Sequence, residues 1–144
     1  MNATLIKFGY PGTLIRSYRH WCVLLRPVQA TLGALILGAK GEERSFSRLP
    51  PEAFAELALI TSEIERGLAT FRPYDRINYL MLMMNDPHVH FHVLPRYAQT
   101  QAFQGQSFPD SGWPAIPDLK SPADVSEDMR QDILRDLQTH WPAG

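Results

Sequence analysis

Three histidines stand at alternate positions in the segment DPHVHFHVLPRY, which spans residues 86–97: His88, His90 and His92. The residues between and after them are apolar: Val89, Phe91, Val93 and Leu94. In a β-strand, alternate side chains share one face, and successive residues rise by about 3.3 Å. The pattern therefore predicts three imidazoles in one row along a surface, on a strand that its apolar residues anchor in the core.

Imidazoles in such a row support two kinds of chemistry. Imidazole is a good nucleophile at neutral pH and leaves readily from phosphorus, so one ring could carry a covalent phosphoryl intermediate. The flanking rings could then donate hydrogen bonds to phosphate oxygens or to the leaving group. Alternatively, two imidazoles on one face of a strand form half of a common zinc or iron site. A chance arrangement is disfavoured, because histidine is rare and the alternation is strict.

A metal site needs further ligands, and the sequence offers few. No glutamate closely follows the three histidines, and Cys22 is the single cysteine. The other two histidines, His20 and His140, lie in segments that do not resemble a ligand setting. The pattern therefore favours the nucleophile, and we expect no resident metal.

Composition places the chain among ordinary globular proteins. Its 144 residues predict one domain over 1–144 with a sizeable core. The 14 Lys and Arg nearly balance 15 Asp and Glu, so we expect neither a nucleic-acid partner nor a membrane partner. The lone cysteine, the lack of a signal-like start and the lack of an apolar run near 20 residues predict a cytoplasmic protein.

Apolar patterns predict the elements upstream of the histidines. Short apolar segments predict four strands, at 4–10, 13–21, 22–27 and 32–39, and residues 40–50 predict a polar loop. A helix is predicted over 51–71, where Pro51 and Glu52 suit the first turn. Apolar residues recur there at spacings of three or four and form one stripe: Phe54, Leu57, Ile60, Ile64, Leu68 and Phe71.

The downstream half predicts a hairpin, an irregular segment and a second helix. Residues 77–84 and the triad strand at 88–94 are expected to pair across a tight turn at Asn85-Asp86-Pro87. Residues 98–122 are rich in proline and predict an irregular segment after a core over 1–97. A C-terminal helix over 123–141 is expected to start near Ser121 or Ser126. Its buried face recurs in steps of four: Val125, Met129, Ile133, Leu137 and Trp141.

The segment HVHFHVL, followed by Pro95 and Arg96, closely resembles the signature of the histidine triad (HIT) family. The family pattern alternates three histidines with apolar residues and often continues with Pro-Arg. The stretch LLRPV at 24–28 and the helix at 51–71 resemble the upstream half of the family, so the resemblance spans about residues 20–97. It implies an α+β fold, in which a small antiparallel β-sheet carries one long central helix and, in this chain, the C-terminal helix.

The resemblance also implies an activity. HIT proteins bind nucleotides, usually act as two-fold homodimers, and hydrolyse or transfer a nucleoside monophosphate group. By resemblance His90 is the nucleophile that attacks the α-phosphorus, His88 fixes the orientation and tautomer of its neighbour, and His92 contacts phosphate or the leaving group. No metal is required for this chemistry, although a divalent cation is possible with polyphosphate substrates.

The chain departs from the family at two positions near the site. The histidine that usually follows a glycine before an apolar strand is absent from ATLGALILGAK, and Met84 lies where a glutamine often precedes the triad. Asn85 is the candidate that replaces this polar contact, and Asn78 is a candidate ribose or phosphate contact. Three further substrate contacts are expected at Arg96, Phe8 and Tyr10.

These observations leave three hypotheses about function. The first is an enzyme that cleaves a phosphoanhydride of a dinucleoside polyphosphate, or a phosphoramidate, through a nucleotidyl-histidine intermediate, as a hydrolase more readily than as a transferase. The second is a nucleotide-binding or interaction protein with little turnover. The third is a metal-dependent enzyme that uses the three histidines as ligands.

Overall fold

The computed structural model describes residues 1–143 and has an α+β architecture, as the resemblance implied. Five antiparallel strands form one sheet in the order β1-β2-β3-β5-β4, with the bounds β1 Leu14–Ser17, β2 Trp21–Leu25, β3 Leu35–Ala39, β4 Arg76–Leu80 and β5 His90–Arg96. Three helices accompany it, namely α1 Ala3–Lys7, α2 Pro51–Phe71 and α3 Glu127–His140. A short second sheet pairs β6 Gln101–Phe103 with β7 Gln106–Phe108.

One face of the large sheet packs against α2 and α3 and forms the main core. Because side chains alternate along a strand, the odd-numbered residues of the central strands lie on this face. Its buried members from the sheet and the segment before β5 are Trp21, Val23, Leu25, Leu35, Leu37, Ala39, Val89 and Val93. The apolar half of the triad motif therefore anchors β5 in the core as the alternation predicted, with Phe91 partly buried beside it.

The opposite face of the sheet is covered by α1, and here the sequence prediction was wrong. Residues 4–10 were expected to form a strand, but residues Ala3–Lys7 form a short helix. The Asn2 side chain caps this helix by accepting a hydrogen bond from the Leu5 backbone N–H at 3.0 Å. Leu5 then packs on Cys22, Leu24 and Ile36, so α1 is held by tertiary contacts that an apolar pattern does not distinguish from strand pairing.

The long helix over Pro51–Phe71 is confirmed at both ends. Pro51 occupies its first turn, where a missing N–H costs nothing, and Glu52 lies at the positive end of the helix dipole. Ile60, Ile64 and Leu68 form its buried stripe, whereas Phe54 at the beginning of the stripe is exposed.

The expected hairpin around the triad has a longer connection than predicted. Strand β4 ends at Leu80 and β5 begins at His90, so residues 81–89 form an irregular loop instead of a tight turn. The register pairs Leu80 with His92 and Arg76 with Arg96. His88 therefore precedes the strand, and only His90 and His92 lie within it.

The segment 98–122 is more ordered than its proline content predicts. Strands β6 and β7 form a hairpin whose two turn residues, Gln104 and Gly105, have φ angles of 50° and 81°. Two successive positive φ angles are those of a type I′ turn, which matches the twist of antiparallel strands. The remainder of the segment has no regular structure, as predicted.

The C-terminal helix begins at the later of its two expected positions. Ser126 caps it by accepting a hydrogen bond from the Met129 backbone N–H at 3.2 Å. Ile133, Leu137 and Trp141 pack in the main core, where Trp141 lies against Gly67 of α2. Among the helices within residues 1–143, none is both long and apolar enough to cross a bilayer.

Candidate active site

Strand β5 presents His90 and His92 on the sheet face that α1 covers. In the register with β3, His90 lies opposite Gly38 and His92 lies opposite Ile36. A side chain at Gly38 would overlap Leu5, so the glycine permits α1 to approach the sheet closely at this point. The close approach of α1 gives the histidine face a cover and turns one part of it into a cavity.

All three imidazoles are buried, which corrects the expectation that they lie along a surface. His90 is 1% exposed, because α1 and the loop 81–89 close over the strand. His90 and His92 nevertheless line a cavity of about 270 Å³. Their ring centroids are 5.2 Å apart, so both rings can reach one small group within that cavity.

The backbone of the triad orients the ring of His90. Its Nδ1 lies 2.7 Å from the carbonyl oxygen of His88. A carbonyl oxygen only accepts hydrogen bonds, so Nδ1 carries the proton and donates it. In the neutral ring this leaves the lone pair on Nε2.

The side chain of His88 turns away from the other two rings toward α1, so the expected row of three imidazoles holds only His90 and His92. Its Nδ1 lies 2.8 Å from Oγ1 of Thr4, and the same hydroxyl accepts the His88 backbone N–H at 3.3 Å. On the other side of the ring, Nε2 lies 3.4 Å from Oε1 of Glu42. His88 thus anchors α1 to the segment before β5, while its carbonyl serves His90.

The third histidine has a cationic neighbour. The Nε–H of Arg26, directly after β2, donates to Nδ1 of His92 at 3.2 Å. Burial, then the Arg26 guanidinium, then His90 lower the pKa of His92 to about 4, with Asp86 acting weakly in the opposite direction. The ring is therefore neutral at physiological pH.

The chain matches no protein-family model and no curated protein, but it matches solved structures over nearly its whole length. A histidine triad protein from Sinorhizobium meliloti 1021 is 18% identical with a TM-score of 0.74, over 97% of this chain and 95% of that one. A histidine triad protein from Marinobacter aquaeolei VT8 is 22% identical with a TM-score of 0.66, over 89% of this chain and 87% of that one. The chain has the HIT fold.

A further relative in structure carries a metal. A Zn-bound histidine triad family protein from Mycobacterium smegmatis is 18% identical with a TM-score of 0.61, and the match covers 94% of this chain and 88% of that one. At identities this low, the three likenesses establish the HIT fold of the chain, and its activity has to be argued from its own residues.

Two of the expected substrate contacts line the cavity of about 270 Å³ that His90 and His92 share, which we call the HIT cavity. Phe8 follows α1, and its ring centroid is 5.5 Å from that of His90 and 5.9 Å from that of His92. Asn85, in the loop 81–89, lines the same cavity. Lys7 and Asp86 also line this cavity and form an ion pair, in which Nζ of Lys7 lies 2.7 Å from Oδ1 of Asp86.

The structure corrects the placement of Asn78 and Arg96, which do not lie at the triad. Arg96 donates to both carboxylate oxygens of Asp110, at 2.7 and 3.0 Å, and to Oδ1 of Asn78 at 2.8 Å. Both residues border a separate cavity of about 520 Å³ between β4 and the segment 113–117. The buried Asp110 holds the guanidinium that was expected to meet phosphate.

Tyr10 is likewise separate from the HIT cavity. It packs beside the cluster of Leu5, Cys22 and Leu24 and does not line the space that His90 and His92 share. The strand that was expected to carry it is a helix and turn, which directs Phe8 and Tyr10 to different surroundings.

Sequence reasoning missed Arg26, although a signal for it exists. The even-numbered residues of β2 and β3 share the face of His90 and His92, and Arg26 continues that parity one residue after β2. Finding it required the register of three strands and not the motif alone. Thr4 was missed because α1 was predicted as a strand, and Glu42 was missed because it lies in the loop over 40–50, whose contacts the sequence pattern does not define.

Within the described residues, no group of three or more His, Cys, Asp or Glu side chains converges in a way that could hold a metal ion. The geometric reason is that His88 points toward Thr4, so the three imidazoles do not face a common point.

Proposed function

We propose that this chain binds a nucleotide and hydrolyses or transfers its nucleoside monophosphate group through a nucleotidyl intermediate on His90. The bond cleaved is a phosphoanhydride, as in a dinucleoside polyphosphate, or a phosphoramidate. The observation that carries the proposal is the hydrogen bond of 2.7 Å from His90 Nδ1 to the His88 carbonyl. It leaves a lone pair on Nε2 of a ring that lines a cavity.

The reaction has two displacements at the α-phosphorus. In the first, Nε2 of His90 forms a P–N bond while the bond from phosphorus to the leaving group breaks, and the leaving group departs with the bonding pair. In the second, water attacks the phosphorus, the P–N bond breaks, and a proton is released. The products are a nucleoside monophosphate and the free enzyme, or a new ester or anhydride when another acceptor replaces water.

The remaining cavity residues are suited to an anionic ligand. Arg26, Lys7 and Asp86 are the charged residues that line the cavity, and since Lys7 pairs with Asp86, the net positive charge that favours phosphate groups comes from Arg26. The Asn85 side chain supplies an amide donor, and Phe8 supplies an aromatic wall beside both rings. We propose Asn85 and Phe8 as substrate contacts, and a divalent cation is compatible with a polyphosphate substrate.

The charge beside His92 makes the metal-dependent hypothesis less favourable. A guanidinium within hydrogen-bond distance of that ring repels a divalent cation bound to it. His88 is engaged by Thr4 and Glu42, so only two of the three histidines, His90 and His92, face the cavity.

The proposal is tested by trapping the intermediate. Wild-type protein is mixed with a labelled dinucleoside polyphosphate, and separately with a nucleoside phosphoramidate, then quenched early and digested. We expect a mass increase of one nucleoside monophosphate on the peptide that holds His90, and release of the monophosphate at longer times. His90→Ala should remove both signals, whereas His140→Ala, at an exposed position on α3, should retain them.

Two results would contradict the proposal. Label on a histidine other than His90 would refute the assignment of the nucleophile. Nucleotide binding by the wild type without adduct or release, across phosphoanhydrides and phosphoramidates, would instead support a binding protein with little turnover.

We further propose that the protein is a homodimer that works in the cytoplasm. Strand β4 is an edge of the large sheet and, among the residues described, pairs with β5 alone. An open edge strand is a template for pairing with a second copy across a two-fold axis. The buried, unpaired thiol of Cys22 is compatible with a reducing compartment.

A further inference from the structure

The contact between Arg26 and His92 determines which nitrogen of His92 carries the proton. A guanidinium has five N–H donors and no acceptor. Its Nε lies 3.2 Å from Nδ1 of His92, so that nitrogen must accept, and a proton there would oppose the Arg26 N–H. The neutral ring therefore carries its proton on Nε2, the opposite arrangement to His90.

The arginine is itself held in place on several sides. Its Nη1 donates to the Val28 carbonyl at 2.7 Å, and its backbone carbonyl accepts from Nε2 of Gln29 at 2.8 Å. Its backbone N–H donates to the carbonyl of Ala34, directly before β3, at 2.9 Å. The turn between β2 and β3 therefore directs the guanidinium at His92.

We propose that Arg26 is a positioning residue that holds His92 in the Nε2–H tautomer, so that this ring faces the substrate as a hydrogen-bond donor. The inference rests on the proposed function for the identity of the substrate. His90 attacks with an unprotonated Nε2, while His92 donates from a protonated Nε2 to a phosphate or leaving-group oxygen. Arg26 thus separates two neighbouring imidazoles into a nucleophile and a donor.

The tautomer can be measured without turnover. In ¹⁵N-labelled protein, two-bond couplings between ring nitrogens and ring protons distinguish Nδ1–H from Nε2–H histidines. We expect His92 to be Nε2–H in the wild type at pH 7 and to remain so in Arg26→Lys, since lysine also donates only. Arg26→Met should give a mixture of tautomers and a higher pKa for His92, because a donor and a nearby cation are both lost.

Kinetics with the dinucleoside polyphosphate then test the consequence. Arg26→Met should lower kcat by about ten-fold or more, as expected when a positioned proton donor is disturbed, with partial rescue in Arg26→Lys. Arg66→Met, at an exposed position of α2, is the matched control and should behave as the wild type. Melting curves verify that each variant is folded.

The outcomes separate this inference from the proposed function. An Nδ1–H tautomer for His92 in the wild type overturns the inference, even if Arg26→Met fails to fold. An unchanged tautomer and kcat in folded Arg26→Met also overturns it. Absence of the His90 adduct in the wild type contradicts the proposed function, while the coupling measurement still decides whether Arg26 sets the tautomer.

Discussion

At the scale of single residues, the three histidines of one motif have different chemistry because their partners differ. The His88 carbonyl accepts from His90, the Arg26 guanidinium donates to His92, and the Thr4 hydroxyl binds the ring of His88. The motif supplies three equivalent rings, and the surrounding fold makes them inequivalent. A single alternating pattern can therefore yield three different rings, to which we assign the proposed roles of nucleophile, donor and anchor.

The lowered pKa of His92 predicts a pH dependence of stability. The folded-state pKa is about 4 and the unfolded value 6.5, so between them the unfolded chain binds more protons and stability falls as pH decreases. We expect His92→Gln to weaken this dependence, by less than about 1.4 kcal/mol per pH unit, since one proton is involved and the ring borders a cavity in which solvent screens its charge. Urea unfolding at intervals from pH 7.5 to 4.5 measures it. Equal slopes in both proteins would contradict the assignment.

Strand patterns predicted a site residue correctly only where its position depends on the geometry of one strand. Alternation alone placed His90 and His92 on one face and Val93 on the other, because strand geometry fixes that relation. Arg26 was not predicted because its contact with His92 depends on the register of β2, β3 and β5. Arg96 was wrongly expected at the triad because it lies on the same face of β5 as His90 and His92. It is further along the strand, where residues of that face border a different cavity.

At the scale of elements, local signals decide how well the sequence predicts structure. Helix α2 has a proline in its first turn and a long apolar stripe, so it was predicted at both ends. The five-residue α1 has too few turns for a periodic pattern, and its stability comes from the Asn2 cap and from burial of Leu5. Its misassignment concealed the cover of the site.

The proline-rich segment is fastened to β5 by a buried ion pair, which predicts a large effect of removing one partner. The side chains of Arg96 and Asp110 are 4% and 1% exposed. Asp110→Ala leaves the guanidinium buried without its partner, so we expect a loss of about 3–5 kcal/mol in the free energy of unfolding. Urea titration measures this loss, and limited proteolysis should show earlier cleavage near residues 109–122.

Two further variants test the reason for that loss. The double variant Arg96→Met/Asp110→Leu should be more stable than Asp110→Ala, because no uncompensated charge remains. Asp124→Ala, at an exposed position of the same region, should be close to neutral. A double variant as unstable as the single one would show that the ion pair is not the origin of the effect.

The packing of α2 on α3 makes a separate prediction at Gly67. A Cβ there would lie 2.7 Å from the ring of Trp141, closer than two carbon atoms can approach. Alanine would gain about 1 kcal/mol in helix propensity, yet overpacking costs about 1–3 kcal/mol, so we expect net destabilisation. Thermal melts measure it. In a Trp141→Leu background, Gly67→Ala should become neutral or stabilising, and continued destabilisation there would contradict the proposed clash.

At the scale of the whole molecule, the two faces of one sheet have separate tasks. The face toward α2 and α3 holds most of the buried apolar residues and gives the domain its core. The opposite face carries two cavities in succession along β5, first that of the triad and then that beside Asn78 and Arg96. The second cavity borders the open edge of β4, so pairing of a second copy at that edge would alter the lining of this cavity.

The proposed homodimer predicts a response to charge at this edge. Ile116 lines the second cavity beside β4 and is 84% exposed, and pairing of two β4 strands about a two-fold axis would bury it. We expect the wild type to sediment as a dimer and Ile116→Asp to shift it toward the monomer by at least about ten-fold in Kd, since an unpaired charge is costly to bury. Leu59→Asp, on the exposed side of α2, is the control and should leave the dimer intact. A wild type that sediments as a monomer at every concentration, or an Ile116→Asp variant with unchanged Kd, would contradict pairing at this edge.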